Sequence, residues 1–284
     1  IVALQHLGAG FGKLCHKGMQ TAMTLKWQAD RGIIDHDIHE ILCMSLMAME
    51  MECNHYVEST PLLDEEIPDL EQTLLDAKAV FEQAFWEFNI DKYEVLSVFD
   101  GFHVKPALEL HFVVPCAGAK GLHGFIDAIL RDKETGCTWC TDYKFRKSLS
   151  PDEEEAFNVQ NSVYSWACHK MGIDITGTMT WQHVNTPAAE PQLLKNGGVS
   201  KAKIKTTWSK YKDFCVKNGV DPDPYEEEMQ EKLADIEWCR ATYEYRNTET
   251  IKSIWNNVIL PASRAVAKAR TKSVKCYKNL YPWN

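Results

Sequence analysis

Three charged residues near one predicted β-hairpin could together act on a phosphate ester. Asp127 ends the segment Gly-Phe-Ile-Asp, and Asp142 and Lys144 lie fifteen and seventeen residues further along. Because side chains alternate along a strand, Asp142 and Lys144 point to the same side. Two carboxylates form a hard oxygen site for a divalent cation, which neutralises a phosphate and lowers the pKa of a bound water. An adjacent lysine offsets the negative charge that develops during hydrolysis.

The hairpin itself determines whether these residues meet. Residues 122–131 and 137–145 are rich in β-forming residues, and the turn Asp-Lys-Glu-Thr-Gly joins them. The register that this turn favours would place Asp127 beside Asp142. Because Asp-x-Lys is a common pattern, an exposed ion pair on a pair of strands is the plain structural alternative.

The remaining elements follow from periodicity and capping signals. Apolar spacing predicts helices over residues 11–29, 35–53 and 68–90. Strands are predicted over residues 93–99, 107–114, 122–131, 137–145 and 173–184. A further helix begins after Ser150 as a cap, runs to about Met171 and ends at Gly172. Residues 185–205 are predicted to form a loop, and the rest is predicted to be mostly helical, with a break near 221–224.

This order predicts an α/β fold with a central mixed sheet flanked by helices. We expect one domain with a helical part (1–92), a catalytic sheet and helix (93–184), and a lysine-rich loop with C-terminal helices (185–284). The 284 residues are 45% hydrophobic and 25% charged, which excludes a disordered or collagen-like chain. Because the first residue is not Met and the last four, Tyr-Pro-Trp-Asn, look like the middle of a chain, we expect both ends of the natural chain to be missing.

Further residues fall into a recognisable order around the hairpin. The helix after Lys144 carries Gln160 and Tyr164, four residues apart and so on one helical face. The first helix carries Gly-x-x-x-His ending at His16, and Glu109 lies on the strand before Gly-x-x-Asp. This order of five elements resembles the PD-(D/E)xK nuclease superfamily, and within it the RecB-like exonuclease branch. Residues 191–211 are similar to a lysine-rich segment of phage-encoded members.

The resemblance implies a restriction-endonuclease-like core and a metal-dependent DNA exonuclease that leaves a 5′-phosphate. The metal ligands it implies are His16, Asp127, Asp142 and the backbone carbonyl of Tyr143. The catalytic residues it implies are Asp127, Asp142, Lys144, Gln160 and Tyr164. Members use the position of Glu109 variably. Many members carry Glu where this chain has Asp142, whose shorter side chain demands a tighter geometry.

The cofactor implied is Mg²⁺ or Mn²⁺, and a histidine ligand shifts the preference toward Mn²⁺ because imidazole is softer than oxygen. Many members of the branch also hold a [4Fe–4S] cluster through one early cysteine and three near the C-terminus. Cys276 is either one of these or an ordinary buried thiol, and a cluster requires further cysteines from the missing termini.

Charge and aromatic residues suggest where DNA would bind. The net charge of −9 argues against a chain coated in nucleic acid, but basic stretches occur over residues 195–217 and 264–278. Beside a nuclease centre, we expect DNA contacts from Lys201, Lys203, Lys205, Trp208 and Lys210. A solvated lysine-rich surface is the alternative.

Several other patterns have simpler explanations. Cys137 and Cys140 resemble half a zinc site but would point to opposite faces of a strand. Residues 35–39 could bind metal at helical spacing, but they are more typical of a polar helix start. Ten scattered cysteines favour reduced thiols in a cytoplasm, and the absence of an apolar run of about 20 residues argues against a membrane-spanning chain. The resemblance implies that this cytoplasm is that of a bacterium or an infected host.

Two other functions remain open at this stage: a non-catalytic DNA-binding subunit with the same fold, and a PD-(D/E)xK endonuclease. The family's usual settings are phage or bacterial DNA recombination, repair and processing. Besides DNA, they suggest a recombinase, a helicase or a single-strand annealing protein as partner.

Overall fold

The computed structural model describes residues 2–59, 67–99, 101–115, 121–156 and 158–271. Cys276 and the last lysines of the second basic stretch lie outside the described residues. Across the described part of the chain, no helix combines the length and the apolar character needed to cross a membrane.

Within the described residues, the helices lie before and after the main group of strands and in one connection between strands. They are α1 (Val2–Ala29), α2 (Ile38–Ser59), α3 (Ile67–Phe88), α4 (Asp152–Ala156), α5 (Val159–Lys170), α6 (Trp208–Lys217), α7 (Glu226–Leu233), α8 (Thr248–Ile254) and α9 (Leu260–Thr271). A π-helical turn, Trp255–Ile259, joins α8 to α9.

The strands lie mostly in the middle of the chain. They are β1 (Tyr93–Val95), β2 (Ser97–Phe99), β3 (Val104–Pro106), β4 (Leu108–Val114), β5 (Leu122–Asp132), β6 (Thr138–Arg146), β7 (Gly177–Val184) and β8 (Cys239–Glu244). β2 and β3 form a separate antiparallel pair, and the other six strands form one sheet.

The six-stranded sheet is mixed. Its order is β1-β5-β6-β7-β8, and β4 pairs with β5 beside β1. The pairs that β5 makes with β1, β4 and β6 are antiparallel. Backbone bonds from Thr176 to Thr138 and from Asn185 to Arg146, both 2.7 Å, advance in the same direction, so β6 and β7 run parallel. The prediction of an α/β fold with a central mixed sheet flanked by helices is therefore confirmed.

The predicted β5–β6 hairpin is also confirmed. The Asp132 Oδ1 atom accepts hydrogen bonds from the backbone N–H groups of Glu134 (2.9 Å) and Thr135 (3.0 Å). Gly136 has a φ of 72°, a conformation that a residue with a Cβ rarely adopts. The strands are aligned with Leu130 opposite Trp139 and with Ala128 opposite Thr141.

Contacts between residues group the chain into two compact units. The first unit contains Ile1–Ile90, Tyr143–Ser150 and Trp181–Ala241. The second contains Asp91–Asp142, Pro151–Thr180 and Thr242–Asn284. The chain passes from one unit to the other within β6, β7 and β8.

In the first unit, α1 packs closely on α2 and α3. Gly18 lies under the Phe81 ring and the Met49 sulfur, so close that a Cβ there would be 2.7 Å from the ring and 2.9 Å from the sulfur. The Cys15 thiol, also on α1, contacts the backbone carbonyl of Ala77 on α3 at 3.7 Å. A second cluster in this unit joins α6 to α7 through buried residues that include Tyr211 and Met229.

In the second unit, α5 packs on the sheet. Buried side chains of β4, β5 and β6 form one apolar cluster with Ala167 and Cys168 of α5. Trp166 and Trp255, which pack against the same cluster, stack on each other with ring centroids 4.9 Å apart.

The structure corrects three predicted elements. The single helix expected from Ser150 to Met171 is two helices, α4 and α5, because Asn158 caps α5 by accepting a hydrogen bond from the Gln160 N–H. The strand expected over residues 93–99 is interrupted at Leu96, whose N–H bonds to Ile129. Strand β8 was expected to be helical.

Candidate metal and phosphate site

The Glu109 and Asp127 carboxylates face each other across β4 and β5. Leu108 pairs with Ala128 and Leu110 pairs with Ile126, so Glu109 lies opposite Asp127. An oxygen of each carboxylate lies within 4.8 Å of the other, and both side chains are half-buried. Two converging carboxylates match the hard oxygen ligands that Mg²⁺ and Mn²⁺ prefer, so this pair fits a divalent cation.

Glu109 holds an unusual backbone conformation. Its φ is 44°, in the left-handed region, which costs a residue with a Cβ roughly 1–2 kcal/mol. Strain of this kind persists only where the surrounding structure imposes it, and it concentrates at functional sites. Among the candidate site residues, Glu109, a position that the family uses variably, is therefore the one whose backbone has a positive φ.

Helix α5 holds Asp142 in place. The Asp142 side chain is buried, and its Oδ1 atom accepts a hydrogen bond from Gln160 Nε2 at 3.3 Å. The same amide group donates to the Tyr164 hydroxyl at 2.5 Å. Burial, and then the nearby Asp142 charge, raise the pKa of Tyr164, so its hydroxyl stays protonated. The structure thus brings Gln160 and Tyr164 together, as their helical spacing predicted, and it adds the contact of Gln160 with Asp142.

Sequence analysis missed the residue that anchors the start of α5. Arg246 donates to the Asn158 backbone carbonyl at 3.2 Å and to Ser162 Oγ at 2.6 Å. It also forms an ion pair with Glu244 at 2.5 Å, in which both side chains are about nine-tenths buried. No short-range signal could have found Arg246, because it follows Ser162 by 84 residues.

His16, Tyr143 and Lys144 lie together in the first unit. A ring N–H of His16 donates a hydrogen bond to the Tyr143 backbone carbonyl. Burial, and then the Lys144 charge, lower the pKa of His16 to about 4, so the imidazole is neutral at pH 7. A neutral imidazole is the form that binds metals. Lys144 lies two residues beyond Asp142 on β6, on the same face of the strand.

The predicted DNA-binding lysines are engaged with side chains of their own unit. Lys201 pairs with Glu228 at 2.5 Å, and Lys203 pairs with Asp235 at 2.6 Å. Lys205 lies over the ring of Trp238 at 5.1 Å. Surface pairs of this kind exchange readily with other partners, because each contributes at most about 1 kcal/mol.

The other two predicted DNA contacts lie at the start of α6. The Trp208 ring stacks on Tyr211, with centroids 5.8 Å apart and planes at 20°. Lys210 lines a cavity of about 520 Å³ between α3 and the region around α6. The cavity lining also includes Trp86, Phe214 and several carboxylates.

The weaker metal candidates have structural explanations. Asp37 accepts hydrogen bonds from the N–H groups of His39 (2.8 Å) and Glu40 (2.9 Å), so it caps α2 as the polar-start interpretation expected. The Cys140 thiol is buried and hydrogen-bonds to Cys168.

Comparisons with protein-family models, with curated proteins and with solved structures give no match. What bears on function is therefore the order of the sequence motifs and the side-chain geometry within each unit.

Proposed function

We propose that this protein is a metal-dependent DNA exonuclease of the RecB-like branch, with a restriction-endonuclease-like core. The main support is the facing pair of Glu109 and Asp127, of which Glu109 has a strained backbone, in the same unit as Asp142. Three carboxylates on adjacent strands, with Lys144 two residues after the last of them, form a set of side chains suited to phosphodiester hydrolysis.

Each residue has a definite task in this proposal. A bound Mg²⁺ or Mn²⁺ would neutralise charge on the scissile phosphate and lower the pKa of a water molecule. Glu109 and Asp127 would hold the cation, and the hydrogen bond from Gln160 would fix the orientation of the Asp142 carboxylate. That His16 and the Tyr143 carbonyl add further ligands stays a prediction from the family resemblance.

Two further groups act on the phosphate itself. The Lys144 ammonium offsets the negative charge that develops on the phosphate oxygens. The protonated Tyr164 hydroxyl can donate a hydrogen bond to one of those oxygens. Water supplies the oxygen of the new P–O bond, the 3′ oxygen leaves with a proton, and the product carries a 5′-phosphate.

The topology is compatible with this proposal. Three antiparallel strands, β4, β5 and β6, carry the acidic residues, and α5 then leads into β7, which runs parallel to β6. This is the order of elements in which the family motifs occur. DNA recombination, repair or processing in a phage or a bacterium is the setting that we propose.

Degradation of end-labelled linear DNA tests the proposal. We expect shortening in Mn²⁺ or Mg²⁺ but not in EDTA, and a loss of about 10²-fold or more in Lys144→Ala. Lys147→Ala is the matched control, because Lys147 is an exposed lysine three residues further along. Intact circular DNA would distinguish an exonuclease from an endonuclease. Binding of linear DNA without any cleavage would contradict the proposal and favour a non-catalytic subunit.

A further inference from the structure

The face of the β4–β5 hairpin that bears the two carboxylates continues as two pairs of side chains, in which three of the four are rings. His111 lies opposite Phe125, and Val113 lies opposite His123. Along β5, Phe125 precedes Asp127 by two residues, so the two side chains share a face of the strand. At about 3.4 Å per residue, the Phe125 pair lies roughly 7 Å from the carboxylate pair and the His123 pair roughly 14 Å away.

These four side chains, His111, Val113, His123 and Phe125, form what we call the stacking face. Phe125 is 53% exposed and Val113 is 60% exposed. The alternating residues of the same two strands, which include Phe112, Val114 and Ile126, are buried in the core. The exposed rings are therefore not needed to fill the core, and exposed aromatic surface of this kind commonly marks a binding site.

The rings of the stacking face already contact one another. The His111 and Phe125 centroids are 4.9 Å apart with planes at 36°, and the His111 and His123 centroids are 6.2 Å apart. Because each ring is supported by a paired strand and by its neighbour, a ligand would meet surfaces that are already ordered. Preorganisation of this kind lowers the entropic cost of binding.

We propose that the stacking face binds the bases of a single DNA strand whose phosphate lies at Glu109 and Asp127. This inference rests on the proposed function, because the carboxylate pair must bind the scissile phosphate. Aromatic side chains stack on every base, so a strand can move past them without regard to sequence. The stacking face extends along the strand direction for two side-chain steps, which provides for successive bases on one side of the scissile bond.

Strand affinity in the absence of cleavage tests the inference. The probes are a fluorescein-labelled oligothymidine and an abasic strand of the same length, measured by anisotropy with Ca²⁺ in place of Mg²⁺. We expect Phe125→Ala to weaken oligothymidine binding about 5- to 140-fold, which corresponds to one lost stacking contact. Binding of the abasic strand should stay unchanged, and Phe125→Trp should retain the wild-type affinity.

Phe99→Ala is the matched control, because Phe99 is an exposed phenylalanine on the separate β2–β3 pair of the same unit. If Phe125→Ala binds oligothymidine as Phe99→Ala does while the wild type hydrolyses DNA, the inference is wrong and the proposed function stands. An equal loss of affinity for the abasic strand in Phe125→Ala would also overturn the inference. A third outcome separates the two proposals. If Phe125→Ala weakens binding of oligothymidine but not of the abasic strand, and the wild type does not hydrolyse DNA, the stacking face is supported and the nuclease proposal is contradicted.

Discussion

Replacing Glu109 by Gln should raise the stability of the metal-free protein and should reduce the further stabilisation that metal binding provides. The substitution keeps the size of the side chain but removes one of two carboxylates whose oxygens lie within 4.8 Å. Like charges at this separation repel each other, and a divalent cation between them converts the repulsion into attraction. The substitution should therefore stabilise the protein without metal and reduce what metal binding adds.

The size of the effect follows from this separation. At 4.8 Å, Coulomb's law gives about 1 kcal/mol in a water-like dielectric and about 3.5 kcal/mol at an effective dielectric constant near 20. Because both side chains are half-buried, we expect Glu109→Gln to raise the free energy of unfolding in EDTA by about 1–3 kcal/mol. Metal at about 100 times its Kd should stabilise the wild type by about 2.7 kcal/mol, and the variant by clearly less.

Thermal unfolding in EDTA, Mg²⁺ or Mn²⁺ measures both the metal-free stability and the stabilisation by metal. The metal-free Tm should rise by about 2–6 °C in Glu109→Gln, and the metal-induced increase in Tm should shrink. Glu231→Gln is the control, because Glu231 is an exposed acid on α7. A lower metal-free Tm in Glu109→Gln, or a metal-induced increase equal to that of the wild type, would refute a cation site at this carboxylate pair.

Two further predictions concern stability. Burial lowers the pKa of His183 to about 4, so between pH 6.5 and pH 4 the unfolded chain binds a proton that the folded chain does not, and stability falls as the pH falls. Between pH 7 and pH 4.5, the free energy of unfolding in urea should fall by about 2–3 kcal/mol less in His183→Gln than in the wild type. An equal fall in both proteins would contradict this. Gly18→Ala should destabilise by about 1–3 kcal/mol because its Cβ would meet Phe81 at 2.7 Å, measured by the same unfolding assay. Gly12→Ala, on the same helix with no atom within 4 Å of the new Cβ, should stabilise by up to about 1 kcal/mol, and a similar loss in both variants would argue against the packing explanation.

Much of the local structure could be read from the residues alone. The turn between β5 and β6 has an aspartate that accepts two backbone bonds and a glycine with positive φ, and both signals lie within five residues. The spacing of Gln160 and Tyr164 predicted a shared helical face, and the two side chains are hydrogen-bonded. These predictions succeeded because the interactions that stabilise a turn or a helical face connect residues close in sequence.

The arrangement of the candidate site depends instead on contacts between distant parts of the chain. Sequence reasoning expected one helix after Ser150, but Asn158 starts a new helix, and Arg246 binds its backbone carbonyl from 88 residues away. The sequence placed Glu109 on a strand as a candidate acidic residue, but it has no local signal, such as a glycine, for the left-handed φ that the structure shows. Pairing register, the burial of charges and ion pairs such as that of Lys203 with Asp235 are set by packing across the sheet and between elements. Periodicity along the chain carries no information about such partners, because it reports only which face a residue occupies.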